Sequence, residues 1–297
     1  RQASEWAQRP ERSSFAVMRL MRWLSLNLGR RVSRWVLYPI AAYFVLFAPA
    51  AKRASKQYLT RALGREARIK DGFRHVMSFA SVVHDRVYWL SDRHEFFDTR
   101  ITGEAMVQAY EAAGRGVIFM GAHFGSFEAL RVLGQRNGLN VRMLMYPDNA
   151  RMVTQTLAAI NPALTDSVIA LGRSDSILRV RDQLAEGGCV GILADRSVAG
   201  EGGTASMDFL GSPAAFPEGP FRLAALLRAP VVFMAGVYLG GNRYHLFFAP
   251  VADFQDVPPA ERNAAIRHAQ ARYVRLLQEK CLEAPWNWFN FYDFWKP

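Results

Sequence analysis

Five short apolar runs, separated by stretches of helix length, constrain this chain more than any other feature of its sequence. They are GVIFMG at Gly116 to Gly121, VRMLMY at Val141 to Tyr146, SVIAL at Ser167 to Leu171, CVGILA at Cys189 to Ala194, and Pro230 to Tyr238. A strand covered on one face only would carry a polar residue at every second position. Near-continuous apolar runs therefore indicate strands buried on both faces. Helical patterning is expected between them, over 126–137, 150–160, 174–187 and 218–228, with a last helix from about Pro259 to Cys281. Strand and helix in alternation give an α/β fold with a mostly parallel central sheet flanked by helices, and such sheets bind ligands at the carboxyl ends of their strands. Tyr244 to Ala249, after the Gly240-Gly241-Asn242 turn, reads as an antiparallel edge strand. Upstream, Ser55 to about Leu90 is helical in pattern, and the charged stretch Asp92 to Asp98 marks a boundary. The chain thus divides into a helical segment over 1–90 and one continuous α/β unit over 91–297.

The distribution of charge assigns the first segment a task. The chain carries 37 Lys+Arg against 26 Asp+Glu, and residues 1–75 hold 16 of the basic and 4 of the acidic ones. That segment is +12 and the remainder −1. A basic arm on a neutral body points to an anionic surface and away from nucleic acid, for which no binding motif is present. Phe15, Met18, Leu20, Met21, Leu24 and Leu28 form an apolar stripe among Arg19, Arg22, Arg30, Arg31 and Arg34, the pattern of a basic helix lying on anionic lipid. The next seventeen residues, WVLYPIAAYFVLFAPAA, are uncharged and interrupted by Pro39 and Pro49. As a helix they would reach about 25 Å, short of the ~30 Å hydrocarbon core, so an interfacial or re-entrant arrangement is expected. Cys189 and Cys281 supply neither a disulfide framework nor a CxxC site, which suits a reducing compartment.

The chemistry concentrates in GAHFGSFE, Gly121 to Glu128, where a strand gives way to a helix. His123 falls in the turn and Glu128 in the first helical turn. Gly125 lets the chain fold so that Glu128 reaches one imidazole nitrogen, leaving the other for a substrate hydroxyl. The helix N-terminus adds N–H groups near the place where an oxyanion would form. Ser126 reads as an N-cap and not a nucleophile, since no GxSxG elbow is present. His75, His84, His94, His245 and His268 lack ligand spacing and read as surface or capping residues.

GAHFGSFE resembles the HxxxxD/E box of the lysophospholipid acyltransferase superfamily, in the form found in the late acyltransferases of lipid A biosynthesis. GILADRSVAG (Gly191 to Gly200) and MDFLGSPAAFPEGPFRLAALLRAPVVF (Met207 to Phe233) are similar to further segments of that family, with Asp195-Arg196 where the family has Asp-Gln. The closing WNWFNFYDFW, Trp286 to Trp295, resembles a subgroup associated with aryl-polyene or xanthomonadin-type clusters; it reads equally as a segment packed on the core or as an interfacial belt or acyl-channel wall. The resemblance implies O-acyl transfer from an acyl carrier protein or acyl-CoA thioester to a hydroxyl of a membrane lipid or glycolipid, at the cytoplasmic face of the inner membrane. It implies His123 as general base and Glu128 as its orienting partner, with Asp195, Arg196, Gly125 and Ser126 binding substrate. A thioester is already activated, so no metal or bound cofactor is implied. A lysophospholipid or ornithine-lipid acceptor, or a noncatalytic protein that holds an acyl chain, are the competing readings.

Overall fold

The computed structural model describes residues 25, 27, 29–136, 138–146, 167–172, 175–196 and 203–296. Most of the Phe15 to Leu28 stripe and the helix expected over 150–160 lie outside them. A seven-stranded sheet has the order β1-β9-β8-β2-β5-β3-β4. Its strands are β1 (Asp98–Thr102), β2 (Ile118–Gly121), β3 (Val141–Met145), β4 (Val168–Ala170), β5 (Cys189–Leu193), β8 (Pro230–Gly240) and β9 (Arg243–Asp253). Strands β8, β2, β5, β3 and β4 run parallel to one another; β9 is antiparallel to β8, and β1 parallel to β9. The α/β class and all five apolar strands are thus as expected.

Two differences have the same cause. The strand after the glycine turn is antiparallel but not an edge, because β1 (DTRIT) covers it. A separate hairpin, β6 (Thr204–Phe209) with β7 (Ser212–Pro217), stands where no strand was expected. β1 and β6 alternate between exposed and half-buried positions, with none or one fully buried, so neither shows an apolar run.

Helices α4 (Glu104–Ala112), α5 (Phe127–Arg136), α6 (Ser176–Ala185), α7 (Gly219–Leu226) and α8 (Arg262–Glu283) flank the sheet. The N-terminal part is a helical run from Gly29 to Phe47, whose regular α-helical stretch is α1 (Leu37–Phe47), followed by α2 (Pro49–Leu63) and α3 (Ile69–Leu90). The chain bends by 94° between α1 and α2, where Ala48 leaves helical geometry and Pro49 opens the next helix. Gly64, at φ +63°, closes α2, and Asp71 caps α3 by accepting the Arg68 backbone N–H at 2.9 Å. Among the described residues no single helix is long and apolar enough to cross a membrane.

These N-terminal helices pack into the body. Tyr58, Leu59 and Ala62 of α2 join the larger core, with Ile118, Phe233 and Trp288, and Val82, Tyr88 and Trp89 of α3 join a second core with Phe119 and Val232. Two arginines expected on the lipid-facing side also turn inward. Arg30 grips the buried Asp85 with two hydrogen bonds of 2.8 Å, and Arg34 donates to the Tyr238 hydroxyl at 2.8 Å. Tyr244 donates to the same Asp85 at 2.8 Å, so the cation excess of this segment serves partly to fasten it to β8 and β9.

Candidate active site

Strand register brings the site together. Gly121 at the end of β2 lies opposite Leu193 at the end of β5. Two residues further along each parallel strand stand His123 and Asp195, and their side chains meet. His123 Nδ1 lies 2.9 Å from Asp195 Oδ1, while the His123 backbone N–H donates to Asp195 Oδ2 at 3.1 Å. An ionised carboxylate only accepts, so Nδ1 carries the proton and Nε2, on the other side of the ring, presents a lone pair. Asp195 is fully buried, whereas 36% of the His123 side chain is accessible, so the imidazole is the exposed member of the pair.

The electrostatics suit a neutral base. Burial pushes the His123 ring below its ordinary value and the Arg196 guanidinium adds to this, with Asp195 pulling in the opposite direction. Burial alone would raise the Asp195 carboxyl, but His123, Arg196 and the Trp288 indole N–H (3.0 Å) together hold it well below the usual carboxylate range.

The turn that carries His123 is held from two sides. Ser126 N–H donates to Gly236 O of β8 at 2.7 Å. From the other side the C-terminal segment crosses the turn: Gly125 N–H donates to Asn287 O at 2.8 Å, Phe289 N–H to His123 O at 2.7 Å, and Phe124 bridges Trp288. Asn287 is fixed in turn by paired bonds to Tyr238, Oδ1 accepting from N at 2.7 Å and Nδ2 donating to O at 3.1 Å. Gly125 has φ +59°, and a Cβ there would come within 1.9 Å of Gly236 O. Gly125→Ala is therefore expected to displace the turn and cut turnover at least a hundredfold, a 1 Å misplacement being enough for that. Kinetics on the folded variant check it, and a wild-type rate would show that the turn is not held this tightly.

The other residues expected at the site are distributed differently. Glu128 does not hold His123; its carboxylate is paired with Arg86 Nε of α3 at 2.7 Å, and Asp195 occupies the ring nitrogen instead. The reason is geometric: in the first turn of α5, Glu128 projects toward Arg86 of α3, while Asp195 arrives just past the end of the neighbouring strand. Arg196 lies beside the pair, donating to Phe289 O at 2.8 Å and standing 5.2 Å over the Tyr292 ring. Ser126 is fully buried and its Oγ caps α5 by accepting the Ala129 N–H at 3.1 Å, and Gly125 is held by Asn287 O. His75 and His84 are buried and hydrogen-bonded, contrary to a surface placement. Trp288 and Asn287 gave no signal beyond the aromatic density of WNWFN, which the sequence left open between core and interface.

A family model of bacterial lipid A biosynthesis acyltransferases matches residues 14–297 of the chain. No curated protein matches it.

Proposed function

This chain belongs to the bacterial lipid A biosynthesis acyltransferase family and is an acyltransferase acting on lipid, and from that premise we propose that His123, oriented by Asp195, is the general base of the transfer. The observation that carries this is the His123–Asp195 contact at the carboxyl ends of β2 and β5. Nε2 takes the proton of an acceptor hydroxyl as its oxygen attacks the thioester carbonyl, and the new C–O bond forms. Asp195 stabilises the imidazolium. Collapse of the tetrahedral intermediate breaks the C–S bond, and the imidazolium returns its proton to the departing thiolate, giving an ester and a free thiol. General-base assistance of this kind supplies about 10²–10⁴-fold. The donor is an acyl carrier protein or acyl-CoA thioester, and the acceptor a membrane lipid or glycolipid hydroxyl. Consumption of each thioester, with lipid mass spectrometry of the product, identifies both. Turnover lost on deleting the His123 side chain supports the mechanism, and turnover preserved without it points to a protein that only holds an acyl chain.

The same reading places the protein on a membrane surface, the cytoplasmic face of the inner membrane. On the helical run ending at Phe47, Val32, Trp35, Tyr38, Tyr43, Phe44, Leu46 and Phe47 are exposed, Trp35 at 73% and Phe47 at 64%. Lys52, Arg53 and Lys56 are exposed on the adjoining α2. Apolar and aromatic side chains beside cations suit the boundary between headgroups and acyl chains. Trp35→Asp and Phe47→Asp are each expected to lower partitioning onto anionic vesicles about tenfold, from the apolar area they withdraw. Arg30→Ala, whose guanidinium is committed to Asp85, should lower thermal stability instead. Vesicle sedimentation and thermal melts separate the two outcomes, and unchanged partitioning of both aspartate variants would move the membrane face elsewhere.

A further inference from the structure

The C-terminal segment does more than close the core behind the catalytic turn. Trp288 is fully buried, its ring packed edge-on against Tyr58, Phe209 and Phe294. Its indole N–H is spent on Asp195 Oδ2 at 3.0 Å, the oxygen that also accepts the His123 backbone N–H. Its carbonyl is held as well. A carbonyl only accepts, so His75 Nε2 donates to Trp288 O at 2.8 Å, and Ser55 Oγ–H donates to His75 Nδ1 at 2.8 Å. His75 is fully buried, and burial lowers its ring to about 4, so the chain of bonds is neutral and its direction fixed. Ser55 lies on α2 and His75 on α3, so two helices of the N-terminal segment reach the catalytic carboxylate through Trp288.

We propose that Trp288 is a positioning residue for the His123–Asp195 pair, with Ser55 and His75 fixing Trp288 in turn. The inference rests on the functional reading above. With both carboxylate oxygens engaged, Asp195 has one orientation and its charge is shared between His123 and the indole. Without the indole donor, the charge falls more heavily on His123, the imidazolium is held more tightly, and the base stays protonated to higher pH.

Trp288→Phe is expected to lower kcat about ten- to a hundredfold, the worth of a hydrogen bond to a charged group, with KM little changed. The acid limb of the kcat profile moves to higher pH. His75→Gln, which keeps an N–H for Trp288 O, leaves that limb in place. A purely structural role would lower the amount of active protein and move no limb. A second measurement needs only the native protein: with ¹⁵N-labelled tryptophan, one indole resonance follows the protonation of His123 and ceases to do so in His123→Ala. An unmoved acid limb in folded Trp288→Phe, or indole resonances that are all flat across the His123 titration, would overturn the inference. Failure of the functional reading looks different, because the wild-type protein would then consume no thioester whatever the indole reports.

Discussion

Asp195→Asn is expected to lower acyl transfer by about 10⁴-fold while the protein stays folded, the size of the loss when a catalytic histidine is forced into the wrong tautomer. The bonds around Asp195 dictate that outcome. Oδ2 faces two donors, the His123 backbone N–H and the Trp288 indole, whereas Oδ1, among the described residues, faces His123 Nδ1. In asparagine the single oxygen therefore takes the place between the two donors, and the amide NH₂ turns toward Nδ1. His123 must then accept at Nδ1 and carry its proton on Nε2, where it cannot act as a base. Asp195→Ala removes the orienting partner without imposing that tautomer and should be less damaging. Steady-state thioester consumption by the two folded variants checks the order, and an asparagine variant as active as wild type would remove Asp195 from the mechanism.

A second large effect is expected on stability and not on chemistry. Arg131 of α5 is only 1% exposed, and none of its three guanidinium nitrogens has a hydrogen-bond partner among the described residues. Burial lowers its proton affinity and the nearby Arg86 adds to that, with Glu128 as the opposing charge. A buried cation without donors satisfied is costly, so Arg131→Leu should stabilise the fold by about 1–3 kcal/mol. Glu128→Gln should destabilise it, because it removes the carboxylate that pairs with Arg86 and opposes the charge of Arg131. The two changes are expected to be non-additive, the loss on Glu128→Gln shrinking in an Arg131→Leu background. Denaturant unfolding of the four members of that cycle measures the coupling. A Glu128→Gln variant with unchanged stability and an Asp195→Asn-like loss of kcat would instead make Glu128 the partner of His123, as its spacing in the box suggests.

That contrast shows where the sequence stops being readable. The apolar runs announced the parallel strands because burial on both faces leaves no polar alternation to mistake, and the position of His123 just past the carboxyl end of β2 was legible because GVIFMG ends two residues before it. Asp195 was legible only as a residue lining the pocket. Its place on Nδ1 depends on Gly121 standing opposite Leu193, a register between strands some seventy residues apart that no local pattern encodes. Glu128, five residues on, looked like the partner for the opposite reason, since sequence proximity is visible and the direction of a helical side chain relative to a neighbouring helix is not. Charge misled in the same way at Arg30 and Arg34: as letters they are cations beside an apolar stripe, and only packing reveals Asp85 and Tyr238 as their partners. The aromatic C-terminus illustrates a third limit. Trp288 and Phe289 buttress the turn that carries His123, through bonds that aromatic density alone does not reveal.

The most direct measurement is single-turnover acyl transfer, with acyl carrier protein and CoA thioesters and an extracted membrane-lipid acceptor, comparing the wild-type protein with His123→Ala. General-base catalysis by the His123–Asp195 pair predicts loss of thiol release and of the new lipid ester together, by at least 10³-fold, with an unchanged melting transition and unchanged vesicle binding. Equal rates of ester formation in the two proteins would contradict it.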